Sequence, residues 1–303
     1  MKRLGQKLKV SERRACELVD QPRSTQRYQP REVEDEKPLV TRMKQLAGKH
    51  PRYGYRRVWA LLRSEGFAVN RKRIWRLWRR EGLKVTKKQR KKRRLGHSGN
   101  SSQRQRAQHR NQVWSYDFVM DQTADGRRLK LLPVLDEYTR ECLTIEVERR
   151  MTAQDVVATL RYLFELRGAP QFLRSDNGPE FIAEAVKAWL KESGVSTLYI
   201  EPGSPWENAY SESFNSRLED ELLDREEFQT LKEAKVLAED YRLDYNHHRP
   251  HSSLGYMTPA AFAALVQKDG GVAAGGERLS PPEDSGGVTP LSSEDSRPMA
   301  ILS

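Results

Sequence analysis

A chain of 303 residues with 54 Lys and Arg against 42 Asp and Glu carries a formal net charge of +12 and is long enough for one ordinary domain plus smaller modules. The sequence has no apolar run of membrane-spanning length, its polar N-terminus argues against a secretory signal, and its two distant cysteines argue against a disulfide scaffold. We therefore expect a soluble, cytoplasmic protein with free thiols.

The charge is unevenly distributed along the chain. Residues 1–110 hold 34 basic and 9 acidic residues, whereas the remainder holds 20 basic and 33 acidic residues. This asymmetry predicts that a polyanion, above all nucleic acid, binds mainly to the N-terminal third.

Helical patterns dominate the N-terminal third. Residues 1–30 contain one short helical pattern, VSERRACELV, with Ser11 as its N-cap, which leaves an N-terminal helix-turn-helix possible. After an acidic linker, REVEDEKP, residues 38–85 form a predicted helical module in which Gly66 turns the chain and Asn70 caps the next helix. Trp75 and Trp78 of this helix are interpreted as core residues.

The second helix of the module, RKRIWRLWRREG, is strongly basic outside its apolar stripe, which favours binding in a major groove with contacts to flanking phosphates. A basic linker follows at 86–110, and we expect its arginines and lysines to contact phosphate. A solvated amphipathic helix is the alternative interpretation. The predicted DNA-binding residues are Arg71, Lys72, Arg73, Arg76, Arg79, Arg80, Lys87, Lys88, Arg90, Lys91, Lys92, Arg93 and Arg94.

From about Val113 the pattern changes to short β-rich runs that alternate with helices, which predicts an α/β domain over 111–266. The segment 267–303 is rich in Gly, Ser, Pro and acidic residues and is predicted to be a disordered tail.

Three acidic residues stand out in the α/β region. Asp117 lies within the strand-like run QVWSYDFVM, where burial of a carboxylate is costly unless a cation meets it. Asp176 ends a short strand in QFLRSDNGPEF, at the usual position of ligand sites in α/β sheets. Glu212 lies on a predicted helix that Ser204 and Glu207 open with a capping box. Each has a structural alternative, respectively a salt-bridged strand residue, a turn residue and an exposed helix residue.

Taken together, the three acids match a known arrangement. Between Asp117 and Asp176 lie 58 residues, and between Asp176 and Glu212 lie 35. The spacing resembles the D…D-35-E pattern of retroviral-integrase-like transposases. The segments WSYDFV, VLDEYTRE, RSDNGPEF, SPWENAYSESFNSRLEDEL and YNHHRPHSSLGYMTPAAF resemble, in order, the core motifs of the second-frame product of bacterial insertion sequences of the IS-three family, and the segment from HPRYGYRRVW to RLWRREGL resembles that family's helix-turn-helix.

The resemblance implies a ribonuclease H-like core, preceded by an all-α helix-turn-helix module, that cleaves and joins DNA. It gives Asp117, Asp176 and Glu212 as catalytic metal ligands for two Mg²⁺ ions, with Mn²⁺ as a substitute, and Asn208 and Gly178 as supports of the site. Relatives carry Lys or Arg seven positions after the catalytic glutamate, where this chain has Glu219, so Arg217 is the candidate for contact with the DNA end.

Double-stranded DNA is the implied partner, both as element ends and as target. The resemblance further implies a homo-oligomer on DNA, a possible upstream-frame product as partner, and nucleoid association. A DNA-binding regulator with an inactive core is the alternative function, and a ribonuclease acting on hybrids is a third. Asp136 is interpreted as a hairpin-turn residue, and HHRPH as a docking segment rather than a metal site.

Overall fold

The computed structural model describes residues 10–27, 35–85, 106–175, 184–199 and 209–269, which divide into two compact units, Met1–Val85 and Thr86–Ser303. Each unit has its own core of buried apolar side chains.

The described part of the N-terminal unit is helical. Its helices are α1 (Glu12–Leu18), α2 (Arg23–Arg27), α3 (Glu36–Lys49), α4 (Tyr55–Ser64) and α5 (Arg71–Arg80). Both predicted N-caps are confirmed, because the backbone N–H of Arg14 donates to Ser11 Oγ at 3.3 Å and that of Arg73 donates to Asn70 Oδ1 at 2.7 Å. Helix α2 is a second helix in a region where the sequence pattern made only one clear.

Helices α3, α4 and α5 share one apolar core in which Met43, Val58 and Ile74 are fully buried. Trp78 is 7% exposed and belongs to this core, as predicted. Trp75 is 42% exposed, so its assignment to the core is wrong. The reason is that Ile74, Leu77 and Trp78 already form the complete buried stripe of α5, and Trp75 lies outside it.

The acidic linker predicted before this module is in part wrong. Asp35 accepts two hydrogen bonds from Arg73, at 2.9 and 2.6 Å, and Glu36 pairs with Arg80. These acidic residues therefore belong to the module and fix the start of α3 against α5.

The C-terminal unit is built around a six-stranded mixed sheet, which confirms the α/β class. Its strands are β1 (Val113–Tyr116), β2 (Val119–Gln122), β3 (Arg128–Asp136), β4 (Cys142–Glu148), β5 (Phe172–Ser175) and β6 (Ser196–Tyr199). Its helices are α6 (Ala153–Arg167), α7 (Glu184–Glu192), α8 (Ala209–Leu218), α9 (Leu231–His247) and α10 (Pro259–Asp269), with a π-helix at Glu219–Leu223 and a 3₁₀ turn at Ser252–Leu254.

Strand β3 pairs antiparallel with β4 on one side and with β1 and β2 on the other, while β5 and β6 continue the sheet parallel to β1. Alternate residues of a strand point to opposite faces. Trp114 and Tyr116 accordingly pack with α6 and α7, whereas Val119 packs with α8 and α9. By the same alternation Ser115 and Asp117 lie on the face that α8 covers.

Strands β1 and β2 are two halves of one strand that is interrupted at Asp117 and Phe118. Tyr116 pairs with Val134 and Val119 with Leu131, so the register is the same on both sides of the break. This register sets Pro133 opposite Asp117, and proline has no backbone N–H to donate to a ladder. The prediction of a continuous strand through Asp117 is therefore wrong, although its direction and its faces are correct.

Both cysteines are buried and free, Cys16 in α1 and Cys142 at the start of β4. Burial raises the pKa of the Cys142 thiol far above its ordinary value. Among the described residues, no helix has the length and apolar character needed to cross a membrane. Helix α10 runs through Asp269, so the first residues of the predicted tail are helical, and residues 270–303 lie outside the described ranges.

Candidate functional site

The centre of the candidate site is Asp117, at the interruption between β1 and β2. Its side chain is partly buried, and its Oδ2 accepts a hydrogen bond from Nδ2 of Asn215 at 3.2 Å. Asn215 lies on α8, which packs against β1. The hydrogen bond therefore fixes α8 beside the strand that carries the aspartate.

Glu212 is on the same helix, one turn before Asn215. Residues three apart are neighbours on a helix surface, so the contact with Asp117 brings this turn of α8 to the edge of the candidate site. The Glu212 side chain is exposed, whereas Ser211 and Asn215 are buried. The structure thus places two of the three predicted acids on adjoining elements.

Buried polar atoms without a hydrogen bond accompany this contact. Within the described ranges, Ser115 Oγ, Ser211 Oγ and Asn215 Oδ1 have no hydrogen-bond partner. Ser115 precedes Asp117 by two residues on the same face, and Ser211 lies one turn before Asn215 on α8. Because buried polar atoms are nearly always satisfied, the cluster is suited to water, a cation or a polar substrate atom.

The remaining predicted residues of the site lie outside the described ranges: Asp176, Gly178, Glu207 and Asn208. Strand β5 ends at Ser175, directly before Asp176 in the sequence. No three His, Cys, Asp or Glu residues of the described ranges form a group that could hold a metal ion.

A buried ion pair lies on the same sheet face. Arg174 pairs in register with Ser115, and its Nε donates to Glu137 Oε1 at 2.8 Å. Both side chains are buried, at 5% and 0% exposure. Removal of either partner would take a hydrogen bond and an opposite charge from a buried group.

Asp136 confirms its interpretation as a turn residue. Its carboxylate accepts hydrogen bonds from the backbone N–H groups of Asn111, Tyr138 and Thr139, at 2.7 to 2.9 Å. Burial raises the pKa of Asp136 and these three hydrogen bonds oppose the rise. Asp136 pairs in register with Trp114. Trp114 precedes Asp117 by three residues, or about 10 Å of strand.

The exposed face of α5 carries part of the predicted basic surface. Arg71, Lys72, Arg76 and Arg79 are exposed, and the Arg79 guanidinium lies 5.1 Å from the ring centroid of Trp75. Arg73 and Arg80 are held in ion pairs with the start of α3. The predicted DNA-binding residues from Lys87 to Arg94 lie outside the described ranges.

The family models that match this chain also separate an N-terminal helical part from a C-terminal core. An HTH-like domain model matches residues 34–93, and two integrase core domain models match residues 107–205 and 193–259. A 31.7 kDa protein of insertion element IS407 from Burkholderia multivorans is 40% identical over 264 residues, which cover 87% of this chain and 94% of the relative. The chain belongs to the insertion-element transposase family. Its HTH-like domain and integrase core are those of the second-frame products of the IS-three family.

Two further relatives of this transposase are also insertion-element proteins. A 39.2 kDa protein of insertion element IS476 from Xanthomonas euvesicatoria is 41% identical, covering 87% of this chain and 75% of the relative. The transposase InsD of insertion element IS2 from Escherichia coli is 29% identical over 75% of this chain and 79% of its own length.

Among solved structures, the catalytic core of HTLV-2 integrase in complex with magnesium matches 52% of this chain and 99% of its own, at 15% identity and a TM-score of 0.42. The two integrase core domain models match the residues that form the mixed sheet and its helices, in agreement with the predicted ribonuclease H-like core.

The second half of the HHRPH segment packs on the core of the transposase, since Arg249, Pro250 and His251 are buried whereas His247 and His248 are exposed. Arg249 is buried and donates to both carboxylate oxygens of Glu221 in the π-helix, each at 2.8 Å. His251 packs edge-on against Tyr245 of α9. Arg217, the candidate for contact with the DNA end, lies 3.8 Å from Asp220, and Glu219 is exposed at the start of the π-helix.

Reasoning from the sequence missed Asn215, Ser115, Ser211 and the pair of Arg174 with Glu137. The spacing of Asn215 three residues after Glu212 was the available signal, because it puts both on one side of a helix. The ion pair joins residues 37 positions apart, and no local pattern indicates it.

Proposed function

We propose that this transposase cleaves DNA at the ends of its insertion element and transfers the freed ends to a target. Divalent metal ions would be held by Asp117, Asp176 and Glu212. The observation that carries the proposal is the hydrogen bond from Asn215 to Asp117. It joins the helix that bears Glu212 to the strand that bears the first aspartate.

The sheet register supports Asp176 as the third carboxylate. Ser115 pairs with Arg174 in parallel strands, and Asp117 and Asp176 each follow that pair by two residues in the sequence. Ligand sites in α/β sheets lie at the carboxyl ends of such strands. Gly178 and Asn208 are proposed as supports, the one two residues after the second aspartate and the other four residues before Glu212 in the sequence.

The residues present fit a hard divalent cation. Carboxylate oxygens are the preferred ligands of Mg²⁺, and the buried Ser115 Oγ, Ser211 Oγ and Asn215 Oδ1 offer further oxygens or hold water beside Asp117. Two bound Mg²⁺ ions, or Mn²⁺ in their place, would stabilise both the attacking and the leaving oxygen. The Asn215 amide orients the Asp117 carboxylate.

The reaction consists of two phosphoryl transfers. In the first, the oxygen of water bonds to phosphorus at the element end, the P–O3′ bond breaks, and the 3′ oxygen leaves and takes up a proton. In the second, this 3′-OH bonds to a phosphorus of the target and a target 3′ oxygen leaves in the same way. Neither transfer needs a covalent enzyme intermediate, so no Ser or Tyr nucleophile is assigned.

End binding is assigned to the N-terminal unit. Helix α5 is the proposed recognition helix, with Lys72, Arg76 and Arg79 as its exposed contacts and the basic linker as a phosphate-binding arm. Arg217 is proposed to contact the end near the catalytic helix. We further propose that the transposase acts as a homo-oligomer that pairs two ends, alone or with an upstream-frame product, in the bacterial nucleoid.

The decisive experiment separates binding from chemistry. Asp117→Asn, Asp176→Asn and Glu212→Gln each keep the shape of the side chain but remove a charge that the cation needs. Each variant should lose strand cleavage and joining in Mg²⁺ while binding end DNA nearly as the parent does. Glu207→Gln, in which glutamine can still serve a capping box, is the matched control and should retain activity.

Three outcomes would contradict the assignment. Loss of activity in Glu207→Gln with activity kept in Glu212→Gln would mean that the third ligand is wrong. Cleavage by both aspartate variants would refute the metal–carboxylate mechanism. A parent protein that binds its ends but never cuts them, in any divalent metal, would favour the regulator with an inactive core.

A further inference from the structure

Helix α5 presents one aromatic side chain among its exposed basic residues. Trp75 is 42% exposed. Its neighbours three or four positions away on the helix surface include Arg71, Lys72 and Arg79, all of which are exposed. A single exposed apolar side chain is ordinary on a protein surface. The place of this one is not, because every other exposed side chain of α5 is basic.

The packing of the N-terminal unit does not use the Trp75 ring. The buried stripe of α5 consists of Ile74, Leu77 and Trp78, which pack with α3 and α4. Trp75 belongs neither to this cluster nor to the partly buried side chains around it. Loss of the ring should therefore cost the fold little, so that an effect of its removal on binding can be separated from an effect on folding.

The charges around Trp75 fit a DNA duplex. Arg73 and Arg80 are paired with Asp35 and Glu36. In contrast, four exposed cations of α5 form no ion pair with any residue of the described ranges: Arg71, Lys72, Arg76 and Arg79. Phosphates can pair with these cations. The apolar group that a duplex offers between its phosphates is the C5 methyl of thymine, which is exposed in the major groove.

The guanidinium of Arg79 limits how the Trp75 ring can contact DNA. It lies over the ring, 5.1 Å from the centroid, so a cation covers one face of the indole. A side chain that inserts between base steps stacks on bases through both of its faces. The Trp75 ring is therefore suited to contact with base edges in a groove rather than to insertion between bases.

We infer that Trp75 reads sequence at the element end by packing against the C5 methyl of a thymine in the major groove. This role rests on the proposed function, because α5 is the helix assigned to end binding. Contacts to phosphate position a protein on DNA, whereas apolar contacts to base edges specify the sequence. The cations of α5 supply the first kind of contact and Trp75 supplies the second.

The test is a double-mutant cycle between the protein and the DNA. Binding of the full-length protein is measured in EDTA, where no strand is cut, to duplexes of the element's terminal sequence in which single thymines are replaced by uracil. Uracil pairs as thymine does and lacks only the methyl group. At the thymine that Trp75 contacts, the parent should bind the uracil duplex about fourfold more weakly, the effect of one methyl withdrawn from an apolar contact. In Trp75→Ala the same replacement should change affinity by less than about twofold, because the contact is already absent.

Two further variants are the controls. Trp75→Phe keeps an apolar ring, so uracil should still weaken its binding at the same position. Tyr162→Ala removes an exposed aromatic ring from α6, in the other unit, and should respond to uracil as the parent does. The slope of log affinity against log salt should be the same in Trp75→Ala as in the parent, because the indole neutralises no phosphate. Circular dichroism of each variant establishes that the fold is kept.

Uracil effects of equal size in the parent and in Trp75→Ala at every position would overturn the inference. An equal loss of affinity in Trp75→Ala for the end duplex and for a random-sequence duplex would do so as well, since such a ring reads no base edge. If a uracil effect depends on Trp75 and the parent cuts no DNA in Mg²⁺, the proposed function fails and the reading of thymine stands. If the parent cuts and joins DNA while no uracil effect depends on Trp75, only the role of Trp75 is wrong.

Discussion

The side chain of Asn246 on α9 forms hydrogen bonds with both backbone groups of Cys142, and its substitution by leucine gives the sharpest stability prediction. The backbone N–H of Cys142 donates to Asn246 Oδ1 at 2.9 Å, and Asn246 Nδ2 donates to the Cys142 carbonyl oxygen at 2.7 Å. Leucine fills a similar volume but supplies neither hydrogen bond. The side chain is buried, so water cannot take its place.

The expected loss follows from the two backbone groups left unsatisfied. Each buried group without a partner costs about 1–3 kcal/mol. The Cys142 carbonyl oxygen still accepts a long hydrogen bond from Arg242, at 3.4 Å. This bond reduces the part of the cost that comes from the carbonyl group. We therefore expect Asn246→Leu to lower the free energy of unfolding of the C-terminal unit by about 2–4 kcal/mol, and its Tm by roughly 5–15 °C for a unit of this size.

Calorimetry of the full-length protein measures this change. The control is His247→Ala, one residue further along α9 and exposed, for which we expect a change within about 0.5 kcal/mol. A Tm for Asn246→Leu that matches the control would refute the reasoning, because it would mean that the two hydrogen bonds contribute nothing net.

Three further outcomes are expected from other parts of the chain. Trp78→Ala should cost about 3–5 kcal/mol in the N-terminal unit, whereas Trp75→Ala should leave thermal unfolding almost unchanged. Arg249→Met should destabilise the core by about 3–5 kcal/mol, since it removes two hydrogen bonds and an opposite charge from the buried Glu221 carboxylate, and a loss under about 1 kcal/mol in chemical denaturation would contradict this. A fragment of residues 1–110 should bind duplex DNA with log affinity falling linearly with log salt, and salt-independent binding would speak against the basic surface.

Local features of the fold could be predicted from the sequence. Ser11 and Asn70 are predictable as N-caps because the capping preference depends on a few adjacent residues. The change from helical to strand periodicity near Val113 predicted the α/β core, and both predictions are confirmed.

Features that depend on distant residues could not be predicted in this way. The break at Asp117 arises where Pro133 stands opposite it on another strand, and the exposure of Trp75 depends on how α3 and α4 fill the remaining core. The sequence pattern does not place Asp35 and Glu36 in the helical module, because their arginine partners lie 38 and 44 positions away. The acidic residues of the candidate site could be predicted from the sequence. The contact of Asn215 with Asp117 could not, because it depends on the packing of α8 on β1.

The burial of both cysteines has a practical consequence for spectroscopy on this transposase. Cys16 is 2% exposed and Cys142 is 0% exposed, and the thiolate, not the thiol, is the species that reacts with alkylating probes. A raised thiol pKa keeps Cys142 protonated at neutral pH. A single cysteine introduced at a surface position such as Lys232 should therefore take up a fluorophore selectively, without prior removal of the native thiols.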